Sequence, residues 1–98
     1  MENVTNSPVL VQKEDISNLL FPAKEVLSSG DDIKIRRSDL ERATKLGNAE
    51  RGKIKIIFED KEGIKKVETT IWATTEKNII LKGGVFIPIH RIHQINIY

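Results

Sequence analysis

Lys53–Tyr98 reads KIKIIFEDKEGIKKVETTIWATTEKNIILKGGVFIPIHRIHQINIY. Runs rich in β-branched residues alternate with tight-turn residues along all of it, which predicts one small antiparallel sheet curled into a barrel. Ile54, Ile56 and Phe58 alternate with Lys53, Lys55 and Ile57, the period of a half-buried strand. Asp60-Lys61-Glu62-Gly63 supplies a turn. Ile64 to Thr75 reads as one strand too long to stay flat, so a bend is expected in it. Glu76-Lys77-Asn78 is the next turn, and Ile79-Ile80-Leu81 is apolar on both faces.

Lys82-Gly83-Gly84-Val85 is a two-residue hairpin signal, its glycines open to a primed turn. Val85 to Ile89 forms the fourth strand, and Pro88, which has no N–H, must lie at an edge or a bulge. His90-Arg91-Ile92 is short enough to be one 3₁₀ turn. His93 to Tyr98 closes the stretch, and Gln94–Tyr98 is the expected open edge.

Outward toward the N-terminus, Ser38-Asp39-Leu40-Glu41 matches a capping box. It predicts a helix from Ser38 to Leu46 that is stopped by Gly47, with Leu40, Ala43 and Leu46 toward the sheet and Arg37, Arg42, Lys45 and Arg51 around them. Before it, Ile33-Lys34-Ile35-Arg36 alternates as a short strand does, and Gly30 fits a helix C-terminal cap. Val9 to Val11 is a short strand or a docked segment. Ile16, Leu19 and Leu20 share one face of a short helix that Pro22 limits, and Pro22 can open a second through Val26 and Leu27. The chain thus divides at residue 37 into an arm, 1–37, packed on the barrel, and a helix plus barrel, 38–98. The first seven residues are polar and expected to fray.

A capped helix, four meandering strands and a 3₁₀ turn into a fifth strand resemble the Sm-like and SH3-like small barrels. The residues that carry the likeness are Ser38–Gly47, Lys82-Gly83-Gly84-Val85 and Ile87-Pro88-Ile89-His90-Arg91-Ile92. The implied fold is mainly β: a five-stranded antiparallel SH3-like or Sm-like barrel preceded by a capped helix and an N-terminal helical arm. The chain also resembles small conserved bacterial proteins. Sm-like barrels often bind RNA or form rings, but the family's Asp/Asn-bearing loop and Arg-Gly loop have no counterpart here. Many such barrels bind proteins, and the fold leaves the function open.

Composition sets limits. Ninety-eight residues with 39% apolar content fit one globular domain. The absence of cysteine excludes disulfides, zinc–thiolate sites and cysteine nucleophiles, and suits a reducing cytoplasm. No basic segment followed by an apolar run opens the chain, so no secretory signal is expected, nor any membrane span. The net charge of +2 is mixed; the arm is mildly acidic and the stretch from Lys53 mildly basic.

The candidate binding surface is Lys53, Lys55, Lys65, Lys66, Trp72, Lys82, His90, Arg91 and His93. The lysines and Arg91 can line one basic face. Trp72 either lies under the arm, the commoner fate of tryptophan, or is an exposed anchor beside Lys55 and Lys66. His90 and His93, three apart, can point the same way from a 3₁₀ turn, but two imidazoles fall short of the ligand count zinc takes. No catalytic set, phosphate loop or dinucleotide fingerprint is present. The expectation is a non-enzymatic interaction domain with no cofactor, binding a protein partner or itself. The alternative is RNA or single-stranded nucleic acid on the lysine face and Trp72.

Overall fold

The computed structural model describes residues 7–50, without the side chain of Glu50, and 53–97. Readings that fall on residues 1–6, Arg51 and Tyr98 lie outside them. Strand β1 (Val9–Leu10) is followed by a 3₁₀ turn (Lys13–Asn18), an irregular strap and one helix, α1 (Gly30–Glu50). Then come β2 (Ile54–Asp60), β3 (Gly63–Thr69), β4 (Ile71–Thr74), β5 (Asn78–Leu81), β6 (Phe86–Pro88), a second 3₁₀ turn (Ile89–Arg91) and β7 (Ile92–Ile97).

Among the described residues the fold is mixed α/β, seven strands in two sheets with one helix packed against them, the sheets ordered β1-β3-β2-β7 and β4-β5-β6. The expected mainly-β, five-stranded closed barrel is therefore corrected. Two features break the ring. The long strand changes sheet at Thr70, β3 pairing with β2 and β4 with β5. At the other end β6 and β7 flank the second 3₁₀ turn but pair only with β5 and β2 respectively.

The helix departs most from its sequence. It begins at Gly30, eight residues before Ser38, so the capping box is not its start, Ile33–Arg36 is not a strand and Gly30 caps no C-terminus. Ser29 opens it instead. Its carbonyl accepts from Ile33 N at 3.1 Å and its hydroxyl from Asp32 N at 3.3 Å, while Asp31 and Asp32 sit at the positive end of the helix dipole. The core-facing side runs Ile33, Arg36, Leu40, Ala43 and Gly47, the last four buried. An arginine holds a core position and Ile35, one residue before it, is exposed. That exchange disguises helical spacing as strand alternation.

Gly47 does not stop the helix either. A Cβ there would lie 2.7 Å from the Ile71 carbonyl oxygen and 2.9 Å from Thr70 Cγ2, so glycine is what lets α1 lie against β4. Further along the same seam the Thr44 and Thr74 hydroxyls bond at 2.6 Å, and Arg37 donates to the carbonyls of Thr75 and Glu76 at 2.9 and 2.7 Å. The helix thus covers the outer edge of β4.

Inside, Phe58, Ile56, Ile71, Ile79, Leu81, Ile87 and Ile92 are fully buried. The arm adds Ile16, also fully buried, with Val11, Leu19 and Phe21 packed behind it; the Phe21 and Phe58 rings are 6.0 Å apart. Leu20 points out, and no helix forms around Val26 and Leu27. Gly83 and Gly84 take positive φ, +93° and +86°, in the β5–β6 hairpin, and Pro88 sits on an edge strand, where no ladder donor is needed.

Candidate functional site

The candidate basic residues do not form one surface. Lys65 turns toward the core side of β3 and bonds the buried Asp60 carboxylate at 2.6 Å. The same Asp60 oxygen accepts from Glu62 N and Gly63 N, closing the β2–β3 turn. Lys55 and Lys66 lie on the outer face of the first sheet, Lys55 opposite Glu68 and Asn96, Lys66 opposite Ile57 and Leu10.

Arg91, His90 and His93 hold the fold together instead. Arg91 is 6% exposed; it donates to the carbonyls of Glu59 at 3.0 Å and Lys24 at 2.7 Å. His90 Nε2 donates to the Pro22 carbonyl at 2.9 Å, and the His90 carbonyl accepts from Val26 N. His93 Nε2 bonds Glu59 Oε1 at 2.8 Å. The two histidines have separate partners, and among the described residues no three of His, Asp and Glu gather as a metal site would require. Arg36, which was not singled out from sequence, completes this strap. It is 5% exposed and grips Glu25 with two hydrogen bonds while donating to the Ile92 carbonyl at 3.0 Å. The Arg36 guanidinium holds the Glu25 carboxyl below its ordinary range.

Trp72 is not under the arm: it is half exposed. Ile71 pairs with Leu81 and Ala73 with Ile80, so Trp72 is the inserted residue of a β-bulge. The indole borders a hollow of about 340 Å³ with Gly47, Asn48, Thr70 and Lys82, so it matches neither burial under the arm nor the alternative of an anchor beside Lys55 and Lys66. Lys82 and Thr70 also border a neighbouring hollow of about 410 Å³ that reaches Lys53 and Lys13.

A second feature is the edge of β7. Among the described residues it has β2 on one side and no strand on the other. Apart from the Ile92 N–H bond to the Ile89 carbonyl and the Arg36 bond to the Ile92 carbonyl, both at its first residue, nothing outside the sheet is seen to bond its backbone among the described residues. Beside this edge runs a groove of about 490 Å³, walled by Leu27, Asp32, Ile35 and Asp39 on one side and Gln94 to Asn96 on the other. Ile35 is 57% exposed there. The open edge was legible from the alternation of the last strand; its apolar wall was not, because residues 33–36 read as a strand.

No family model matches the chain, and no curated protein or solved structure matches it. No helix among the described residues is long and apolar enough to cross a membrane.

Proposed function

We propose that the protein is a non-enzymatic interaction domain that takes an extended polypeptide segment, from a protein partner or a second copy, on the free edge of β7. The observation that carries this reading is the juxtaposition of that edge with the Ile35 groove. An edge strand offers a row of backbone donors and acceptors, and a flanking groove gives alternate side chains of an added strand somewhere to go. Leu27, Ile35 and Ile95 line the groove with apolar surface, and Asp32 and Asp39 rim it. Asp39 is paired with Arg42 at 3.2 Å, which leaves Asp32 to favour a basic residue on the incoming segment. The reading includes a cytoplasmic location, which fits a chain that uses no disulfide, and it needs no cofactor.

Hydrogen exchange at Gln94–Ile97 tests it, followed against protein concentration and against a displayed library of extended peptides. Protection of these amides that grows with concentration supports a second copy; protection by selected peptides supports a partner. Amides that exchange freely under both conditions sink the proposal.

A further inference from the structure

Trp72 is the chain's only tryptophan, and 49% of it faces water. It does not sit on a loose loop. Ile71 before it is fully buried, the helix backbone at Gly47 lies against the Ile71 carbonyl, and the Thr44–Thr74 bond clamps the far end of β4. The bulge turns the indole outward on a strand whose backbone is fixed from both sides.

The charge around it is set by what the other candidate cations already do. Lys65, Arg91 and His93 are joined to Asp60 or Glu59. Lys53 and Lys82 have no acidic partner among the described residues; Lys82 borders both the Trp72 hollow and its neighbour, and Lys53 borders the neighbour. Among the described residues the acids that border these hollows are Glu14, paired with Lys13 at 2.7 Å, and Glu68, which stands opposite Lys55 in the sheet register. A flat aromatic face, two uncommitted ammonium groups and the Asn48 amide suit a ligand with a π-face and negative charges at intervals along a chain.

We infer that this surface binds single-stranded nucleic acid, independently of the β7 edge, with one base stacked on Trp72 and backbone phosphates at Lys82 and Lys53. A duplex has its bases stacked within and cannot present one to the indole, whereas a single strand can. A protein segment would use the indole but would leave Lys53 and Lys82 without counter-charges unless it were acidic.

The test titrates the full chain with oligodeoxythymidylate and with oligouridylate of about 15 nucleotides, a length within the span of small single-strand binders. Trp72 emission is the readout, and comparison of the two oligomers separates DNA from RNA. Quenching is expected, with affinity that falls between about 50 and 200 mM salt at a logarithmic slope of about −0.7 per contacted phosphate. Lys82→Glu and Lys53→Glu should each weaken binding about tenfold at low salt and flatten the slope. Trp72→Leu, followed with a labelled oligomer, should weaken it about fivefold to a hundredfold. All three sites are at the surface, and circular dichroism checks that each variant is folded. Ile35→Asp, in the β7 groove, should leave oligomer binding unchanged. No emission change with either oligomer at low salt overturns the assignment, as does binding that Lys82→Glu leaves intact. Emission that follows protein concentration alone also overturns it and gives the face to a second copy.

Discussion

Glu25 and Arg36 meet in two hydrogen bonds, Nη1 to Oε2 at 2.7 Å and Nη2 to Oε1 at 2.6 Å, across the seam between strap and helix. Arg36 is the inner partner, with 5% of its side chain exposed against 29% for Glu25, and its Nε has no hydrogen-bond partner. Glu25→Ala would leave a buried guanidinium without its counter-charge, so a loss of about 3 kcal/mol is expected. Replacing both, as Glu25→Leu with Arg36→Met, should cost less than the single change, because nothing charged then stays buried. Urea unfolding of the two variants beside the parent checks the order.

The same pair sets an acid limb. Arg36 holds the Glu25 carboxyl below its ordinary value of 4.5. A carboxyl whose folded pKa is depressed adds stability above its unfolded pKa and loses it as pH falls through the folded one. Stability should therefore decline on acidification below about pH 4.5 more steeply in the parent than in Glu25→Gln, which has no proton to take up there. Urea midpoints measured from pH 7 down to pH 3 decide this; parallel curves would remove Glu25 from the account.

Gly47→Ala is expected to destabilise, against the helix propensity of alanine. Alanine gains about 1 kcal/mol over glycine in a helix interior. Here, however, the new methyl carbon would stand 2.7 Å from the backbone oxygen of Ile71, and backbone yields less readily than a side chain. Overpacking of this kind costs about 1–3 kcal/mol. A net loss of about 1–2 kcal/mol in urea unfolding, with the denaturant slope unchanged, is the expected result; a gain would show that α1 can withdraw from β4 at little cost.

These residues also show what could be read in advance. The strands of 53–98 were legible because Ile54, Ile56 and Phe58 keep the period of two, and the β5–β6 turn because Gly83 and Gly84 are adjacent. The division of the long strand was foreshadowed by its length, but nothing in Thr69-Thr70-Ile71 marks which sheet each half joins. The helix start was hidden because Arg36, an internal ion-pair residue, takes a core position, and such a pairing depends on Glu25, eleven residues away. The basic residues looked alike in sequence. Only their partners separate Lys65 and Arg91, which hold the structure, from Lys53 and Lys82, which have no acidic partner among the described residues.

Asp60 should prove structural and not a binding residue. Its carboxylate is 2% exposed and holds Lys65 at 2.6 Å, and it accepts from Glu62 N and Gly63 N at 3.1 and 3.2 Å. Asp60→Ala strands the Lys65 ammonium, 14% exposed, and two turn N–H groups. The expected cost is about 3 kcal/mol. Asp60→Asn keeps an acceptor for the turn but not the charge, so it should fall between alanine and the parent. Thermal melts rank the three; equal losses for both variants would assign the effect to the ion pair alone.

Ile35→Asp separates folding from binding at the β7 edge. Ile35 is 57% exposed on α1, so removing its side chain should alter stability by no more than about 0.5 kcal/mol. A carboxylate there faces a groove already rimmed by Asp32 and Asp39, and any strand added beside Gln94–Asn96 would have to desolvate it. Association with a second copy or a selected peptide should then weaken by about tenfold or more, the scale of one buried unpaired charge at an interface. Ile35→Leu keeps the apolar wall and should bind as the parent does. Melting curves and light scattering on the same samples distinguish the cases. Equal binding by the aspartate and leucine variants would show that the incoming segment does not enter the Ile35 groove.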